Sequence, residues 1–143
     1  METTDKAPWH LWLAVGFSAA FTSFAAFGYV MTAIAHPAFI ARFPPDLMHL
    51  LDSMPPWALA ARTCGIWVGP IAVILLFLRS RHAFLAFVIV LAALVIGTLG
   101  EQWVGLPGTM RSTGIFSLKV MNWSILIAMV VYTHWMRLKR VLR

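Results

Sequence analysis

Two cations, one carboxylate and one amide stand where an apolar chain has little use for them. Arg62 lies in "ARTCGIWVGP", about six residues into a long hydrophobic run. Lys119 and Asn122 lie in "GIFSLKVMNWS", at a similar depth in another run, and Glu101 closes a third. Helix rise places Arg62 and Lys119 ~9 Å below their span ends. A charge at the centre of a membrane helix costs about 2.5–3.5 kcal/mol, and less near the ends. Two chemistries follow. Either the long side chains snorkel to the headgroups, or they turn inward, pair with Glu101 and, with Asn122, line a polar pocket. Such a pocket suits an anionic headgroup, a quinone or a small metabolite. The loop residues His36, Asp46, His49, Asp52 and Arg111 could approach it from the same side.

No other grouping points to catalysis. Cys64 is the lone cysteine, with no activating base beside it in sequence, and is expected to be buried and inert. His10, His36, His49, His82 and His134 all fall at span ends or in loops. Haem ligation in a bundle wants histidines projecting into the core, so no haem, pigment or other cofactor is predicted. Metal-ligand spacing, phosphate-binding glycine loops and nucleophile elbows are missing from the sequence.

The elements that must position these residues are membrane spans. Of 143 residues 61% are hydrophobic and 11% charged, against about 25% charged in a soluble domain. Spans of about 20 residues fit at 9–35, 57–78, 83–100 and 114–136. The expected fold is therefore all-α, a four-span up-down bundle in a single transmembrane domain over 1–143. "PPDLMHLLDSM" sets Leu47, Met48, Leu50, Leu51 and Met54 against Asp46, His49, Asp52 and Ser53, the spacing of a short amphipathic helix lying in the interface. Pro107-Gly108 reads as a β-turn.

The net charge of +6 would suggest nucleic acid in a soluble protein, but here it follows topology. Lys6, Arg79, Arg81, Arg137, Lys139, Arg140 and Arg143 share one side. Arg42 and Arg111 share the other with Asp46, Asp52 and Glu101. The positive-inside rule then puts both termini in the cytoplasm, and Trp9, Trp57, Trp103 and Trp135 mark span ends. The N-terminus, with Glu2 and Asp5, lacks a basic signal-peptide start and reads as retained. The expected setting is a membrane, with lipids and other membrane subunits as partners and no nucleic acid.

Two helix faces invite packing. Gly65 and Gly69 form a G-x-x-x-G pair followed by Pro70, where a kink is expected. They suit contact within the bundle, with another chain or with a lipid. In the first span Ala19, Thr22, Ser23 and Ala26 oppose a stripe of Phe17, Phe21 and Phe24. These faces and the lack of catalytic spacing favour a non-catalytic accessory subunit of a larger membrane complex. A small-molecule or lipid carrier using Arg62, Glu101, Lys119 and Asn122 is the alternative.

The first span ends in "GYVM" and is followed by "HPAFIARF" and "PPWALAARTCGIWVGPIAVILLFLRSRHAFLAFVIVLAAL". This part of the chain resembles the small bacterial four-helix membrane proteins of the DoxX-like group. The resemblance implies the architecture and a bacterial inner membrane as the setting. Since several members are held to be partners or subunits of membrane oxidoreductase systems, it also implies a component of such a system as a third reading. It carries over no catalytic residue, and the fourth span lies outside it.

Overall fold

In hydrocarbon every backbone N–H and C=O must be satisfied within the segment, so long apolar runs become helices. The computed structural model describes residues 8–142; Glu2, Asp5, Lys6 and Arg143 lie outside them. The helices are α1 (Trp9–Ala33), α2 (Pro37–Ile40), α3 (Asp46–Ser53), α4 (Pro56–Phe77), α5 (His82–Val104) and α6 (Thr113–Leu138). The described chain is all-helical. Helices α1, α4, α5 and α6 are long and apolar enough to cross a membrane, which by length and composition fits a multi-pass membrane protein.

Helix starts follow local chemistry. Pro37 and Pro56 each stand at a first helical position, where a missing N–H costs nothing. Ser112 caps α6 by accepting from the Ile115 N–H at 3.5 Å. The stops are less usual. Helices α1, α4 and α6 each end on a left-handed residue, Ala35, Arg79 and Arg140. The next N–H reaches back five residues: His36 to Met31 at 3.1 Å, Ser80 to Leu75 at 2.8 Å and Val141 to Met136 at 3.1 Å. This is the Schellman closure, which elsewhere favours glycine.

The span boundaries differ from expectation chiefly in α5, which runs on to Val104 and so takes Glu101 into its last turn. Where a β-turn is expected at Pro107-Gly108, a 3-10 turn covers Gly108–Arg111. Helix α4 continues through Pro70.

Helix α4 packs along α5 and against α1, and α5 packs against α6; α1 and α6 make no comparable contact along their lengths. Small residues make the inner seams close. A Cβ built at Gly65 would stand 2.9 Å from that of Ala93, and one at Gly69 would stand 3.1 Å from Thr22 Cγ2. A Cβ at Gly100 would collide with that of Ala58. The apolar core gathers toward the end that holds the start of α1 and the end of α6. Leu11, Leu76, Phe87 and Met136 are buried there, and Leu142 folds back onto them. Arg79 Nε donates to the Val141 carbonyl at 3.1 Å, which ties the tail to the α4–α5 turn.

Cys64 corrects an expectation: it is exposed. It shares an outward α4 face with Trp57, Trp67, Ile71, Ile74 and Phe77, all exposed, while Gly65 and Gly69 take the inward one. Helical spacing sets Cys64 one position off the packed stripe, so no neighbouring helix covers it.

Candidate functional site

At the end away from that core, three helices bring charges together. The last turn of α5 carries Glu101, whose carboxylate pairs with the ammonium of Lys119 on α6. Both are partly shielded, with Lys119 32% and Glu101 19% exposed. The guanidinium of Arg62, half-buried on α4, is near enough to feel the charge of Glu101. Alongside, the Tyr29 hydroxyl of α1 meets Thr63 Oγ1 at 3.0 Å. The Tyr29 ring stands edge-on to Trp67, with centroids 6.3 Å apart.

The polypeptide sets this grouping by register. The Gly65–Ala93 and Gly100–Ala58 approaches fix how α4 and α5 run past each other. They hold Arg62 about one turn deeper than Glu101. The approach of Gly69 to Thr22 brings Tyr29 level with Thr63 in the same way. Asn122 is half-buried one turn beyond Lys119. Gly97 lies one turn inside Glu101, and a Cβ there would meet nothing within 4 Å. There is open space beside the charges at that point.

Electrostatically, one carboxylate faces two cations. Glu101 pairs with Lys119, and among the described residues the charge that reaches Arg62 is that of Glu101. In a medium of low dielectric such an excess positive charge attracts an anion or a strong hydrogen-bond acceptor. Nothing in the cluster resembles a nucleophile beside a base. Among the described residues no group of three or more His, Cys, Asp and Glu lies together to hold a metal.

Of the residues singled out by sequence, Arg62, Glu101 and Lys119 are brought together, with Asn122 adjacent. His36 is exposed just before α2, His49 and Asp52 are exposed on α3, and Arg111 is exposed at the end of the 3-10 turn. Gly65 and Gly69 face two different helices, α5 and α1. Ala19 packs toward the core and Ala26 is half-buried, whereas Ser23 is exposed beside Phe24. Neither Tyr29 nor Thr63 stands out in the sequence. Tyr29 reads as one more interfacial aromatic, and Thr63 as a helix hydroxyl able to bond its own backbone; only the α1–α4 register brings them together.

At the opposite end His10 Nδ1 and the Tyr132 hydroxyl share a hydrogen bond of 2.7 Å between α1 and α6. The His10 ring lies against Trp135, with centroids 5.9 Å apart. His134 instead leans on Phe84. No family model, curated protein or solved structure matches this chain.

Proposed function

We propose that this chain is a non-catalytic membrane protein that binds a small anion, either free or as a lipid headgroup, between α4, α5 and α6. The four spans run up and down, with both termini on the cytoplasmic side of a bacterial inner membrane and α3 lying in the opposite interface. The basic residues divide between the two sides in that sense. The single observation behind the binding reading is that Glu101 must serve both Lys119 and Arg62. The anion would complete the pairing of Arg62, with Lys119 and Asn122 as further donors and the space beside Gly97 as its seat.

Thermal unfolding in mild detergent tests this with two ligand arms. One contains soluble sulfate, phosphate and small carboxylates; the other contains phosphatidylglycerol against phosphatidylcholine. At least one anion should raise the midpoint of the wild-type protein and fail to raise that of Lys119→Ala. If no member of either arm stabilises the wild type, the reading falls. A response to soluble anions alone identifies a metabolite-type ligand, and a response to phosphatidylglycerol alone identifies a headgroup.

A second reading is an accessory subunit of a larger complex, for which the DoxX-like resemblance would suggest a membrane oxidoreductase. Gly65 and Gly69 are occupied by this chain's own helices. The face favouring this reading is on α1, where Gly16, Ala20 and Ser23 are exposed alongside Phe17 and Phe24. Small residues flanked by rings let a foreign helix approach closely. Co-purification in gentle detergent should then yield stoichiometric partners that Ala20→Leu removes; recovery of the protein alone would exclude it.

A further inference from the structure

The seam between α1 and α6 is closed at one point and open below it. His10 and Tyr132 join the two helices. Beneath that join a groove of about 620 Å³ follows Ser124, Ala128, Val131 and Trp135 on α6. It continues into a recess of about 420 Å³ against Ala14 and Phe17 of α1. Helix α6 is the least buried of the four long helices, and the groove opens sideways toward lipid. An unfilled groove loses its van der Waals contacts outright, so in a bilayer an acyl chain or another helix must occupy it.

Charge decides between those occupants. The last turn of α6 and its exit carry Arg137, Lys139 and Arg140, all exposed. Lys139 is held with its Nζ 3.8 Å above the Trp135 ring, at the mouth of the groove. A second copy would insert in the same orientation. An α6–α6 contact about a two-fold axis would then set both basic ends side by side, which like-charge repulsion opposes. A molecule with an apolar tail and an anionic head meets both demands at once, because its tail fills the groove and its phosphate faces Lys139. We propose that the α1–α6 groove seats one anionic phospholipid, with an acyl chain along Ser124, Ala128 and Val131 and the phosphate beside Lys139. This site lies at the other end of the protein from the Arg62 cluster and stands or falls independently of it.

The test is native mass spectrometry of protein released from nanodiscs of equal phosphatidylglycerol and phosphatidylcholine. One phosphatidylglycerol should be retained in preference to phosphatidylcholine. Lys139→Gln should weaken that retention about five-fold, the loss expected for one cation near an anionic surface. Ala128→Trp should abolish it by filling the groove, and Leu99→Trp, a tryptophan on an exposed α5 position, should leave it intact. Should Ala128→Trp fail to fold, Val131→Phe at another exposed groove position makes the same test. Equal retention of the two lipids, or retention that survives the groove-filling variant, would overturn the proposal. So would efficient cross-linking of two copies through Ala128→Cys in liposomes, since a second chain would then cover the groove.

Discussion

The α4–α5 seam and the α1–α6 seam are built in opposite ways. In the first, Gly65 faces Ala93 and Gly100 faces Ala58, so the backbones come close along the whole contact. In the second, a hydrogen bond joins the ends while a groove stays open below, beside Ala14, Ser124 and Ala128. Both seams are apolar, yet lipid gives apolar surface no reason to prefer protein over acyl chains. Helix association in a bilayer depends on close packing and polar bonds. Small residues alone do not close a seam: α4 and α5 meet where a glycine backbone sits against an alanine Cβ, and α1 and α6 are joined by the bond between His10 and Tyr132.

The most damaging way to break this contrast is Gly100→Leu. Even the first side-chain carbon would collide with Ala58, and both atoms stand on helix backbones that cannot yield singly. Overpacking of this kind should cost about 3 kcal/mol, read as a lowered unfolding midpoint in detergent together with loss of the Glu101–Lys119 pair.

Glu101→Gln should come next, at about 2 kcal/mol. That lies between the small worth of an exposed ion pair and the larger loss when a buried one loses a partner. Without the carboxylate, Lys119 and Arg62 repel each other. The sign sharpens the binding reading. The variant should be less stable than wild type without ligand, yet gain more from an anion, because the competing carboxylate is gone. Adding Arg62→Met and Lys119→Met to Glu101→Gln should restore much of the loss and remove the anion response. Unfolding curves with and without the anion that stabilises wild type check all three outcomes.

How much of this was legible in the sequence depends on what each signal reports. Run length reports spanning segments, so four helices were readable within a few residues. The exception is α5, where Gly100 reads as the stop although the helix continues through Glu101 to Val104. Glycine usually marks helix stops, but here Ala35, Arg79 and Arg140 take the left-handed positions, while Gly65, Gly69 and Gly100 are spent inside helices on close contacts. That Arg62 and Lys119 stand between one and two turns inside their helices is readable from spacing. That Glu101 meets Lys119, and that Tyr29 meets Thr63, depends on the register between helices, which hydropathy does not encode. The exposure of Cys64 escaped for the same reason, since which face of α4 turns inward is set by its partners.

A smaller effect probes the polar end of the α1–α6 seam. Tyr132→Phe removes the hydroxyl that bonds His10 and keeps the ring beside Trp135. A hydrogen bond of this kind contributes about 1 kcal/mol, so the unfolding midpoint should fall modestly. Hydrogen exchange should rise in the first turn of α1 and the last of α6, while exchange along α4 and α5 stays unchanged. Uniform acceleration across all four helices would show that the seam is closed by more than this bond.

The smallest expected change carries a positive sign. Gly16 lies mid-helix in α1, where a Cβ would meet nothing within 4 Å, so Gly16→Ala should stabilise by about 0.5–1 kcal/mol through helix propensity alone. Gly65→Ala makes the same chemical change in α4, but its Cβ would stand 2.9 Å from that of Ala93. There the backbones must part, and the variant should destabilise. Opposite signs for one substitution at two glycines, measured in the same detergent, would separate close contact from propensity as the reason for glycine at the α4–α5 seam. If both variants stabilise, that seam is looser than its geometry requires. If both destabilise, α1 uses Gly16 for a contact outside this chain, and the accessory-subunit reading gains.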